Sequence, residues 1–234
     1  MTSLATAYDD RRSRLETYFD ATAMDTWAQL TSDAPVSKIR ATVRAGRDRM
    51  RDLLLSWLPG DMSGEVVLDA GCGTGALSVA AAERKAHVVA VDVAGNLVRI
   101  ASERAPAHLT EAIDFRVGDM LHPAFGHFGH VVAMDSLIHY PTLQLVGMLE
   151  TLSRRTSRSI LFTFAPASPA LWLFWGAGRL FPRTDRAPAI EPVSEGGLRR
   201  TIAATPGLAA WRVGRTQRVA SGFYTSQAME LVRG

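Results

Sequence analysis

Leu68-Asp69-Ala70-Gly71-Cys72-Gly73-Thr74-Gly75 is the stretch on which the reading of this chain turns. Glycines at 71, 73 and 75 let the backbone bend sharply between a strand and a helix and let a ligand approach without Cβ interference. The spacing is GxGxG, and an aspartate stands two residues before the first glycine. Nicotinamide enzymes use GxGxxG and set a pyrophosphate against the helix N-terminus. An acid at this place suits a cation instead. S-adenosylmethionine has no phosphate, and its amino-acid end carries an ammonium beside a sulfonium.

Outward from the loop, hydrophobic periodicity alternates between strand and helix. Residues 65–69 read as a strand, 76–82 as a helix of small residues, 87–91 as a second strand and 94–105 as a helix. Strands follow at 113–117, 130–134 and 159–164, with a helix at 143–152. A helix at 195–204 precedes two strand-like runs, 210–219 and 223–231. This order predicts a Rossmann-like α/β fold with a mostly parallel seven-stranded sheet and helices on both faces. Residues 36–58 place Val43, Met50, Leu54 and Trp57 at helical spacing, with Arg40, Arg44, Arg47 and Arg51 on other faces. Residues 1–60 therefore read as a helical extension packed on a cofactor domain over 61–234. The proline-bearing stretch 165–192 breaks the pattern and reads as an insertion or lid.

In this frame acids recur where strands end. Asp92-Val93 follows the second strand, Asp119-Met120 the third and Asp135-Ser136 the fourth. With Asp69 they converge on one rim of a parallel sheet, the edge at which α/β proteins bind ligands. Asp92 is placed to accept the ribose hydroxyls, and Asp119 to meet the adenine amino group. The expected cofactor contacts are Asp69, Gly71, Cys72, Gly73, Gly75, Asp92, Val93, Asp119, Met120, Asp135 and Ser136, the pattern of a class I S-adenosylmethionine-dependent methyltransferase.

Composition narrows the setting. The 234 residues are 47% hydrophobic and 21% charged, as in ordinary globular proteins. Cys72 is the one cysteine, which excludes an intramolecular disulfide and fits a reducing cytoplasm. The apolar run 169–180 is too short to span a bilayer as a helix, and the N-terminus lacks the order of a secretory signal. A net charge of +3, with no RNA-binding motif or long basic run, argues against nucleic acid. Of 26 basic residues only Lys38 and Lys85 are lysine, and arginine is the better grip on carboxylates.

The stretch Asp135-Ser136-Leu137-Ile138-His139-Tyr140-Pro141 resembles a signature of the magnesium-protoporphyrin IX O-methyltransferases of chlorophyll and bacteriochlorophyll biosynthesis. Tyr18-Phe19, Trp27, Val43-Arg44-Ala45-Gly46, Phe162-Thr163-Phe164-Ala165-Pro166, Phe181-Pro182 and Phe223-Tyr224-Thr225-Ser226 resemble it too. Gly129-His130 departs from the usual aromatic-Asp pair that enters the fourth strand. The resemblance implies methyl transfer from S-adenosylmethionine to one propionate of magnesium protoporphyrin IX, giving the 13-monomethyl ester. It implies a catalytic pair in which His139, neutral, positions the acceptor and Tyr18 closes over the cofactor. It also implies the porphyrin-binding subunit of magnesium chelatase as a partner, and peripheral contact with the photosynthetic membrane.

Trp172, Trp175, Arg179 and Arg183 are expected to bind the substrate, the aromatics against the macrocycle and an arginine on the free propionate. No protein-bound metal is expected. His122, His127 and His130 sit in a Pro/Gly-containing loop without accompanying Cys or acidic ligands, and read as structural. The magnesium belongs to the substrate. Two other readings stay open on the residues alone: a methyltransferase for a different small acceptor, and a non-catalytic carrier of cofactor or porphyrin.

Overall fold

A computed structural model describes residues 4–22, 38–167 and 189–234. Among the described residues two helices precede the sheet, α1 (Leu4–Thr17), which runs into a π-helical turn at Tyr18–Thr22, and α2 (Lys38–Ser56). The alternating body then follows: β1 (Val66–Ala70), α3 (Ala76–Ala82), β2 (His87–Asp92), α4 (Gly95–Arg104), β3 (Ile113–Val117), β4 (Phe128–Ala133), α5 (Thr142–Ser153) and β5 (Thr156–Pro166). The two-residue β6 (Pro192–Val193), α6 (Glu195–Ala204), β7 (Trp211–Ser221) and β8 (Tyr224–Arg233) complete the order.

The sheet runs β3-β2-β1-β4-β5-β8-β7, seven strands as expected, with β6 paired to β5 off that path. The first five lie parallel, and β8 is antiparallel to both of its neighbours. Strand order reverses between β1 and β4, and a crevice opens there at the carboxyl ends of the strands.

The central strands read as nearly unbroken apolar runs because both of their faces are covered. Leu68, Val89, Val131, Ile160 and Phe162 join Leu145, Leu149 and Leu152 of α5 and Leu198 and Ile202 of α6 in one buried layer. Val67, Val88, Ala90, Val132 and Leu161 join Met50 and Leu54 of α2 and Leu77 and Ala81 of α3 in the other. Alternate residues of one strand thus serve opposite layers.

The insertion expected over 165–192 needs correction at both ends. Ala165 and Pro166 finish β5, and they pair with Pro192 and Val193 in β6. Proline is tolerated there because this short ladder lies off the main sheet path. Trp27, Trp172, Trp175, Arg179, Arg183 and Phe181-Pro182 lie outside the described residues.

Candidate active site

The glycine loop leaves β1 with backbone that side chains rarely adopt, φ being +86° at Gly71, +53° at Gly73 and +80° at Gly75. A Cβ at Gly71 would collide with the Cβ of Ser136, so this glycine lets the turns after β1 and β4 touch. The Ser136 hydroxyl seals that contact by donating to the Ala70 carbonyl at 2.7 Å. Gly75, also expected at the cofactor, is closely packed as well. A Cβ at Gly75 would face Ala101 at 3.0 Å and Phe115 at 3.2 Å, away from the crevice, so Gly75 serves packing of α3.

A cavity of about 380 Å³ occupies the crevice. Asp69, Gly71, Cys72, Gly73, Asp92, Val93, Asp119, Met120, Asp135, Ser136 and His139 all line it, so eleven of the sequence-predicted positions meet in one space. Tyr18 is not among the lining residues. Its ring packs edge-on against Phe19 at 5.2 Å, and Phe19 lines the cavity with its ring 6.0 Å from that of His139.

Each acid is held differently. Asp92 accepts the N–H of Gly73 on Oδ2 and that of Ala94 on Oδ1, both at 2.9 Å. Each oxygen keeps a further lone pair, which suits a ribose diol. Burial raises its pKa. Asp69 is 2% exposed and accepts the Ser78 hydroxyl at 2.5 Å. Burial, reinforced by the charge of Asp92, pushes its carboxyl up to about 7. An acid this poor in solvent is primed for a cation. Asp119 Oδ1 accepts its own loop's Leu121 N–H at 2.9 Å and the Tyr8 hydroxyl at 2.7 Å. The Asp135 carboxylate accepts from Arg47, Tyr224, Ser226 and Thr163. Asp135 still lines the cavity, with its oxygens engaged by these protein donors.

His139 is 8% exposed, and its Nδ1 lies 3.3 Å from the Ala189 carbonyl. A carbonyl only accepts, so Nδ1 donates and the neutral ring carries its lone pair on Nε2. Burial lowers the His139 pKa, which favours that neutral form. His122 and His130 point elsewhere. His122 Nδ1 accepts the Ala124 N–H at 3.2 Å, and His130 contacts the Ser159 hydroxyl at 2.7 Å. Among the described residues no group of three His, Cys, Asp or Glu could hold a metal ion.

Sequence reasoning missed several wall residues. Tyr8, Arg12 and Leu15 arrive from α1, and Arg44, Arg47 and Arg51 from α2. Asp20 reaches α4, where the Asn96 N–H donates to its carboxylate at 2.7 Å. The arginine spacing 44, 47 and 51 was visible as a helix face, but nothing local showed which way it points.

Acids at successive strand ends, a glycine turn and a reversed strand order define a class I S-adenosylmethionine-dependent methyltransferase. Over 224 residues the chain is 46% identical to the magnesium-protoporphyrin O-methyltransferase of Rhodobacter capsulatus, covering 95% of this chain and 97% of that protein. The chain belongs to the magnesium-protoporphyrin IX methyltransferase family.

Residues 133–233 match the family model described as the magnesium-protoporphyrin IX methyltransferase C-terminus, and residues 67–158 match a methyltransferase domain. The Synechocystis magnesium-protoporphyrin O-methyltransferase is 28% identical over 96% of this chain and 97% of its own length. A crystal structure of the magnesium protoporphyrin IX methyltransferase from Synechocystis PCC 6803, with bound S-adenosylhomocysteine, aligns at a TM-score of 0.82. That alignment covers 95% of this chain and 99% of the other at 28% identity. Geranyl diphosphate C-methyltransferase from Streptomyces coelicolor, 13% identical with a TM-score of 0.69, shares the fold alone.

Proposed function

We propose that this protein transfers the methyl group of S-adenosylmethionine to a propionate carboxylate of magnesium protoporphyrin IX, giving the 13-monomethyl ester and S-adenosylhomocysteine. One observation carries the reading: near-full-length 46% identity to a relative named for this reaction. The residues present fit the cofactor, since Asp69, Asp92 and Asp119 line one cavity beside the glycine turn.

S-adenosylmethionine supplies the methyl group as an activated sulfonium. A propionate has a pKa of about 4.3 and is ionised at neutral pH, so no general base is needed. A carboxylate oxygen attacks the methyl carbon, the C–O bond forms as the C–S bond breaks, and the electron pair stays on sulfur. Both charges vanish in the products, so a dry cavity favours the transition state over the hydrated ions. The chain's task is alignment and exclusion of water. His139 suits this work because it is neutral. A cation at that place would hold the carboxylate back in its ground state. Phe19, and Tyr18 behind it, wall the space over His139.

The acceptor's delivery belongs to the same proposal. Magnesium chelatase makes the acceptor, and its porphyrin-binding subunit is the partner suited to hand it over. Among the described residues no helix is long and apolar enough to cross a membrane. Peripheral contact is supported by exposed Val117, Leu143, Ile190 and Phe223, all near the carboxyl-end rim of the sheet. The deciding experiment is incubation with S-adenosylmethionine and magnesium protoporphyrin IX, followed by product mass. A single added methylene is expected; unchanged porphyrin alongside intact cofactor binding would leave a carrier.

A further inference from the structure

The amino-acid end of S-adenosylmethionine carries a carboxylate as well as an ammonium. At that end of the cofactor an acid can serve only the ammonium. A carboxylate buried in such a crevice needs a cation or several N–H donors. Four arginines line the cavity: Arg12, Arg44, Arg47 and Arg51. Arg12 lies at the Asp119 end, 3.8 Å from that carboxylate. Arg51 pairs along its own helix with Asp48 at 2.9 Å.

Arg47 stands at the other end, where the turns after β1 and β4 meet. Its Nη1 donates to Asp135 Oδ2 at 2.8 Å, and the Asp135 side chain is 6% exposed. Asp135 is fixed from every side. Tyr224 and Ser226 of β8 donate to it at 3.1 and 3.2 Å, and Thr163 of β5 at 3.2 Å. Its own N–H donates to Thr163 Oγ1 at 2.8 Å, and its φ of +55° holds the turn in a conformation few side chains adopt. A carboxylate has about four lone-pair sites. Those of Asp135 are taken by the protein, so it makes a poor partner for a ligand's ammonium and a good anchor for a guanidinium.

We propose that Arg47, oriented by Asp135, receives the α-carboxylate of the cofactor, and that Asp135 is a positioning residue. The inference rests on reading this cavity as the S-adenosylmethionine site. A guanidinium has five N–H donors in a rigid fork, so it can bridge Asp135 and a second carboxylate. Lysine offers a point charge without that fork, and so holds only part of the arrangement.

The test compares S-adenosylhomocysteine with S-adenosyl-3-thiopropylamine, which keeps adenosine, sulfur and amine but lacks the carboxylate. Calorimetry on the wild type should show the first binding at least about tenfold tighter, the scale of one charge-assisted hydrogen bond. Arg47→Gln should bind the two ligands equally. Arg47→Lys should keep part of the preference, and it answers the question alone if the glutamine variant does not fold. Arg49→Gln, on the same helix but off the cavity and bonded to the Ala220 carbonyl, should keep all of it. Asp135→Asn should reduce it, because Arg47 then loses its anchor. An undiminished preference in both Arg47→Gln and Arg47→Lys overturns the proposal. If the wild type binds neither ligand, the reading of the cavity itself falls.

Discussion

At the scale of single residues, two buried groups make the site sensitive to pH in ways that can be measured. Asp69 titrates near 7 when no cation is present, because burial and then the charge of Asp92 oppose its ionisation. A bound ammonium favours the ionised form, so the pKa in the complex lies lower. Between the two values the free protein holds more protons than the complex, and affinity therefore rises with pH and flattens above about 7. Calorimetric titration with S-adenosylhomocysteine from pH 5.5 to 8 should show that rise, and Asp69→Asn should abolish most of it. Burial raises the Asp92 carboxyl in the same cavity too. His139 gives the complementary test. Its ring is neutral and donates to Ala189, so His139→Phe should leave cofactor affinity intact and suppress turnover. Equal turnover in the two proteins would remove His139 from the reaction. Asp69, Asp92 and Asp119 were legible because each closes a strand. The partners of Asp135 were not, since Arg47 lies 88 residues away and Tyr224 lies 89.

At the scale of elements, the periodic segments were readable and their ends were not. The helix predicted over 76–82 and the strand over 113–117 form with those bounds, whereas β4 starts two residues before its expected 130. Phe128 and Gly129 look like a loop until Phe128 pairs with Thr156 across a register shift, a tertiary event that periodicity does not carry. Gly129-His130, the departure from the family pattern, falls at the amino end of β4, far from the crevice. The loop after β3 shows what sequence cannot: it is shaped from outside. Arg155, 9% exposed, donates to the carbonyls of His122 at 2.9 Å, Met120 at 3.1 Å and Gly126 at 3.4 Å. Its guanidinium also lies over the Phe128 ring at 5.6 Å. One planar fork thereby closes a loop that carries Asp119 and Met120 into the cavity. Arg155→Met would take that partner from all three carbonyls, of which only that of His122 keeps a backbone N–H, from Phe125 at 3.3 Å, at about 1–3 kcal/mol for each left dry and unpaired. Amide exchange should accelerate over residues 119–126, and S-adenosylhomocysteine should bind more weakly. Unchanged exchange there would show that the loop holds its own shape.

At the scale of the whole molecule, the first helix decides how the cavity is closed. Alone, α1 gave little reason to expect this, because its charged residues are spread around it and, among its described side chains, only Leu15 is deeply buried. Folded, it lies across the carboxyl-end rim. Tyr8 stacks on Tyr140 with ring centres 5.7 Å apart and donates to Asp119. Arg11 donates to the His139 carbonyl at 2.7 Å and to Glu191 at 3.0 Å, joining α1 to the His139 turn and to the approach to β6. Below it, Asp20 holds the first turn of α4, where an acid complements the helix dipole. With Tyr8, Arg12, Leu15 and Phe19 on the cavity wall, a ligand inside is partly roofed by this segment. Such a roof should act on departure more than on arrival, since affinity differences within one site lie mostly in the off-rate. Arg11 is the informative position because it touches the rim and does not line the cavity. Its pair with Glu191 is about 30% exposed on both sides, so solvent screening leaves that contact worth under about 1 kcal/mol. The bond to the His139 carbonyl is charge-assisted and adds more. Arg11→Ala should therefore speed the release of S-adenosylhomocysteine by about tenfold in stopped-flow measurements, with association changed far less. Trypsin should reach Arg12 and Arg14 sooner in that variant, and bound S-adenosylhomocysteine should restore less protection than in the wild type. If release and cleavage match the wild type, α1 is a fixed part of the wall, and the ligand leaves by another side.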